Sequence, residues 1–129
     1  DGNALLSDLK PPLDAFRRGD YAQVDRELGP LESRYPEAVE VFFYGGLARL
    51  FLDDPKRAIA SFERAARLAD ETFAPRIAWY RAVAEQRAGN DAEARRQIET
   101  VCRSAGERAR EACAALGQMG ASAKTPDAR

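Results

Sequence analysis

At 129 residues, with 45% hydrophobic and 32% charged side chains, the sequence has the composition of an ordinary folded domain that can bury a core without metals or many disulfides. Twenty basic residues stand against 21 acidic ones, which removes the electrostatic case for nucleic acid or an anionic membrane surface as partner. Histidine is absent, and with it the commonest general base and transition-metal ligand. The most apolar window, VFFYGGLARLFL over 41–52, is interrupted by Arg49 and is far too short to span a bilayer, so no direct membrane insertion is expected. No signal peptide is visible, and the start at Asp1 instead of Met is what a processed protein or excised domain would show.

In chain order, the first segment places KPPLDAF before a turn at RRGD, followed by the helical pattern YAQVDREL. Pro11, Pro12, Gly29 and Pro30 fall inside its helices, and each interior proline costs about 3 kcal/mol in a straight helix, so kinks or breaks are expected there. Arg18-Gly19-Asp20 spells an adhesion tripeptide but reads as a turn, with Gly19 free to bend and Asp20 free to cap. The second segment runs through Gly45-Gly46, which has no phosphate-loop Lys or hydroxyl after it and instead permits close helix approach. It then breaks at DDPKRA, where Asp54 can cap a helix that starts at about Pro55. From there Ala58, Ile59, Phe62, Ala65 and Ala66 form an apolar stripe. Asp53 and Asp54 are explained by capping and the helix dipole, without a metal. A loop, ADETFAPR, leads into a third pair, a seventh helix is expected over about 106–118, and residues 119–129 read as a flexible tail.

The breaks recur 34 and 36 residues apart, aligned on Gly19, Asp53 and Gly89. After each comes a small or branched residue (Val24, Ala58, Ala94), then a large one four positions on (Leu28, Phe62, Ile98), then Leu31, Ala65 and Val101. The small residue lets paired helices approach and the large one fills the groove beside it.

This 34-residue helix–turn–helix period, with Gly46 and Ala82 at equivalent small positions and Pro36 closing the first unit, resembles the tetratricopeptide repeat from about Leu5 to Cys102. The resemblance implies an all-α, right-handed α-solenoid of about seven helices in one domain over 1–118, with repeats at about 5–36, 37–70 and 75–104. Pro11 and Pro12 depart from the family's Leu-Gly pair. In such domains the first helices line a concave groove, which here maps to Leu9, Leu13, Arg17, Phe43, Tyr44, Leu47, Arg76, Trp79, Val83 and Arg87, with Leu50 beside them. Leu9, Leu13 and Tyr44 stand where the family's carboxylate clamp needs polar groups, so a chaperone's terminal carboxylate is not the expected ligand. The placement of Cys102 and Cys113 is similar to the cysteine-rich Sel1-like repeats, which implies a disulfide, although the eleven-position spacing is longer than in that family; two buried reduced thiols are the alternative.

The function expected is non-catalytic: a protein or peptide partner held in the groove by an apolar floor with a basic edge, with no cofactor and no metal. The alternative is a structural homodimer in which Trp79, Tyr80, Phe42 and Phe43 are buried between copies. An enzyme is disfavoured because neither thiol has a histidine to activate it. The Arg- and Ala-rich usage fits a bacterial source, and the cysteine pair points to a periplasmic or otherwise extracytoplasmic envelope or regulatory protein, with the cytoplasm as the alternative.

Overall fold

Gly19, Asp53 and Gly89, the three aligned break residues, all adopt left-handed backbone angles, with φ of 77°, 62° and 85°. At each, the next residue's N–H donates to the carbonyl five residues earlier: Asp20 to Ala15, Asp54 to Arg49 and Asn90 to Glu85, at 2.8–2.9 Å. This hydrogen-bond pattern closes one helix, and the carboxylates of Asp20 and Asp54 then accept from Gln23 N and Arg57 N to open the next. Asn90 makes no such cap; its amide donates to Glu85 Oε1 at 2.8 Å.

The computed structural model describes the backbone of residues 2–127 and the side chains of residues 3–119. Among them are seven helices and no strand: α1 (Gly2–Arg17), α2 (Tyr21–Arg34), α3 (Val39–Phe51), α4 (Pro55–Leu68), α5 (Ala74–Arg87), α6 (Asp91–Cys102) and α7 (Ala109–Asp127). The fold is all-α and tetratricopeptide-like, built from helix pairs. It divides into two compact units, Asp1–Ala69 and Asp70–Arg129. In the first, α1 packs on α2, α2 on α3 and α3 on α4; in the second, α5 packs on α6 and α6 on α7. All nine recurring second-helix positions, from Val24 to Val101, are buried. Of the α4 stripe, Ile59 is half-buried and Ala66 exposed.

The first repeat is not broken. Helix α1 continues through Pro11 and Pro12, and α2 through Gly29 and Pro30. Pro12 is fully buried between Leu9 and Ala15 on one face of α1, so burial of its ring offsets the lost hydrogen bond, while Pro30 sits exposed near the end of α2. The Asp8 carboxylate then ties the two helices, accepting from Tyr35 Oη at 2.7 Å and Arg34 at 3.0 Å. The seventh helix also differs. Ser104 Oγ donates to Val101 O and accepts from Gly106 N, which ends α6 and delays α7 to Ala109. It then runs beyond 118 to Asp127, over most of the expected tail. The last two residues of the expected tail, Ala128 and Arg129, lie outside the described residues.

Two charged side chains lie deep in the helix pairs. Arg49 is 9% exposed and Glu85 2%, and both occupy the repeat position that Ala15 fills in α1.

Candidate functional site

In the first unit the expected groove residues sit at different depths. Leu9, Phe43 and Leu47 are buried, as is Leu50; Leu13 and Tyr44 are half-buried; Arg17 is exposed and pairs with Asp14 at 2.8 Å. The buried ones support the surface and cannot themselves touch a partner. Phe42 and Phe43 are likewise inside, Phe42 under the Arg64 guanidinium and Phe43 against Phe62, so their expected burial between two copies is corrected: the chain covers them itself. The aromatic surface of this unit is one the sequence reading missed. Phe16, Tyr21, Tyr44 and Phe51 form a run of ring contacts with centroids 5.0–6.3 Å apart, and Phe51 is 43% exposed. The available signal was that Tyr21 and Phe51 both flank aligned turns.

The buried Arg49 is held by Asp25 (3.0 Å) and Glu32 (3.2 Å) of α2 and by Ser61 of α4. Arg57 adds a two-pronged contact to Asp25 at 2.9 and 3.0 Å. Burial pushes the Asp25 carboxyl up, but the hydrogen bonds from Arg57 and Arg49 outweigh it and hold the group below the usual carboxylate range. These charges are matched within the fold, which makes the cluster a structural tie between α2, α3 and α4.

The second unit contains a cleft of about 720 Å³. Its floor is Trp79 and Val83 of α5 with Ile98 of α6; Asp91 and Arg95 of α6 stand at the rim, and Met119 of α7 lines the far side. Of the expected residues here the cleft brings together Trp79 and Val83. It does not include Arg76, whose guanidinium lies 5.5 Å from the Phe73 ring, or the exposed Arg87. Arg95 and Met119 were missed, the latter because it fell at the start of the supposed tail. The Arg108 guanidinium stacks 4.7 Å from the Trp79 ring centroid and 5.8 Å from that of Tyr80. Cys102 and Cys113 are placed at bonding distance with their Cα atoms 4.7 Å apart.

An apolar floor with one cation and one anion at its rim can hold an apolar side chain or a helical turn; it offers no nucleophile–base pair. Among the described residues no group of three or more His, Cys, Asp or Glu could hold a metal ion. No described helix is long and apolar enough to cross a membrane.

No family model and no curated protein matches the chain. Solved structures do. The Yersinia enterocolitica type III secretion translocator chaperone SycD matches with a TM-score of 0.85 at 15% identity, over 97% of this chain and 89% of that one. The chaperone PcrH, solved with the chaperone binding region of PopD, matches with 0.83 at 17% identity over 94% of each chain. SycD in complex with a peptide of the translocator YopD matches with 0.81 at 16% identity, over 98% and 97%. At this identity the likeness carries the tetratricopeptide-like fold, and it does not carry the Sel1-like cysteine placement. The likeness to type III secretion chaperones contradicts the expectation of a periplasmic or otherwise extracytoplasmic location.

Proposed function

We infer that this chain is a non-catalytic, cytoplasmic chaperone-type module that works as one tetratricopeptide-like unit over residues 1–118 and binds an apolar or amphipathic segment of a bacterial secretion substrate. The observation that carries the reading is likeness over nearly the whole chain to chaperones solved with translocator segments, together with an apolar cleft floored by Trp79 and Val83. Trp79 has the largest ring at the cleft and contributes most to affinity. Leu13 and Tyr44, half-buried in the first unit, and the exposed Arg17, Arg76 and Arg87 are further candidate contacts, the arginines for acidic side chains of the ligand. Leu9, Phe43 and Leu47 act from beneath as support.

A secretion substrate that co-purifies with this chain should stay soluble when co-expressed with it, and peptides tiled along that substrate should identify one binding segment. Trp79→Ala should weaken that peptide by about 2 kcal/mol or more while the helical spectrum is retained. Failure of every tiled peptide to bind would sink the reading. A second reading, homodimerisation, is favoured by the exposed Phe51 and Leu52 and by the dimer reported for SycD; light scattering across a concentration series separates it from the first.

A further inference from the structure

Cys102 ends α6 and Cys113 lies in the second turn of α7, their Cα atoms 4.7 Å apart. The segment between them carries Arg108, whose guanidinium covers Trp79 at 4.7 Å. Beyond Cys113, α7 supplies Ala115 and Met119 to the wall of the cleft that Trp79 floors. The cysteine pair, the guanidinium stack and the cleft wall are therefore connected in series within one unit. Cys113 is exposed and Cys102 half-buried, so a reagent from solvent meets Cys113 first. A solvent-exposed pair of this kind is open to exchange, unlike a disulfide sealed in a core. Non-covalent packing also docks α7: Ala112 is fully buried, and Leu116 packs on the Ala78, Ala82, Ile98 and Val101 core. A covalent link that is accessible, added to a helix docked by apolar packing, and directly upstream of the cleft has the features of a setting device.

We propose that Cys102 and Cys113 are a reversible thiol–disulfide exchange site that fixes Arg108 over Trp79 and thereby tightens the cleft's hold on its ligand under oxidising conditions. The proposal rests on the cleft being the binding site. The co-reactant is a low-molecular-weight disulfide of the oxidised glutathione class. The Cys113 thiolate attacks one of its sulfurs, forming a mixed disulfide and releasing one thiol. The Cys102 thiolate then attacks Cys113 Sγ, forming the intramolecular bond and releasing the second thiol. Two cysteine thiols are oxidised, one small disulfide is reduced to two thiols, and the two protons pass to the departing thiolates. The closed form presents a preordered wall, whereas the open form must order the 103–108 segment on binding, so the closed form binds more tightly.

Trp79 is the single tryptophan, so its emission reports directly on Arg108. The full chain is poised with oxidised glutathione or dithiothreitol, its thiols are counted by alkylation and mass, and two signals are recorded: Trp79 emission and affinity for the apolar dye anilinonaphthalene sulfonate. Oxidised glutathione should remove both thiols, and dithiothreitol should change the emission and weaken the dye several-fold, reversibly. Cys113→Ser should give the reduced values in both buffers, and Arg108→Ala should lose the redox response of the emission. Thiols that never pair, pairing that leaves emission and dye affinity unchanged, or an Arg108→Ala chain that keeps the full response would each overturn the proposal. A redox-dependent dye affinity in a chain that binds no substrate peptide would sustain this site while removing the chaperone reading.

Discussion

Gly46 of α3 lies directly against the ring of Phe62 of α4: a Cβ placed on Gly46 would sit 2.6 Å from Phe62 Cε1 and 2.8 Å from Cδ1. Phe62 is fully buried and cannot swing away. Gly46→Ala should therefore cost about 1–3 kcal/mol by overpacking, more than the roughly 1 kcal/mol that alanine gains over glycine in a helix. Urea midpoints give the sign, and Phe62→Leu in the Gly46→Ala background should recover part of the loss. An unchanged midpoint for Gly46→Ala would mean that the two helices are further apart.

Ala58 and Ala94 hold the same repeat position in different units, and both are fully buried. Leucine at either should overpack its helix pair and lower stability by about 1–3 kcal/mol. If one tolerates leucine and the other does not, the packing equivalence of the repeats fails at the tolerant site.

Asp53 is the sole described non-glycine residue with positive φ, at the position where the other two turns use glycine. Relieving that strain, Asp53→Gly should stabilise the chain by up to about 1 kcal/mol, since capping belongs to Asp54 and is untouched. A lower thermal midpoint would show that the Asp53 side chain contributes more than its backbone costs.

Asp25 titrates below its ordinary range in the fold because Arg57 and Arg49 bond its charged form. A depressed folded-state value gives stability that is present above the unfolded-chain value of about 4 and is lost as pH falls through the lower folded value. Asp25→Asn should accordingly destabilise by about 1–3 kcal/mol near neutrality, and the gap from wild type should close progressively below about pH 4. A gap that stays constant down to pH 2.5 would exclude Asp25 as the titrating group.

The repeat, its turns and its packing positions were legible because they depend on spacing: a left-handed residue, a cap, then small and large residues four apart. The proline-bearing helices run without the break that local propensity allows, since propensity takes no account of the burial of Pro12 that offsets the lost hydrogen bond. The groove positions were found as a face but not as a depth, so Leu9, Phe43 and Leu47 turned out to be interior. The cleft was half-seen, through Trp79 and Val83, because its other side depends on a helix continuing past 118. In the sequence Arg49 is a charge interrupting an apolar window; its partners Asp25 and Glu32 lie 24 and 17 residues away, beyond the reach of periodicity.

The two buried charges differ in where their neutralisation originates. Arg49 of the second repeat draws Asp25 and Glu32 from the first, whereas Glu85 of the third is satisfied by Arg81 and Asn90 of its own. Cutting between Arg34 and Val39 would leave a guanidinium stranded in an apolar pair with Ser61 as its remaining partner, a loss of several kcal/mol. The first two repeats are thus electrically indivisible, so a shortened or shuffled descendant of this chain must inherit them together.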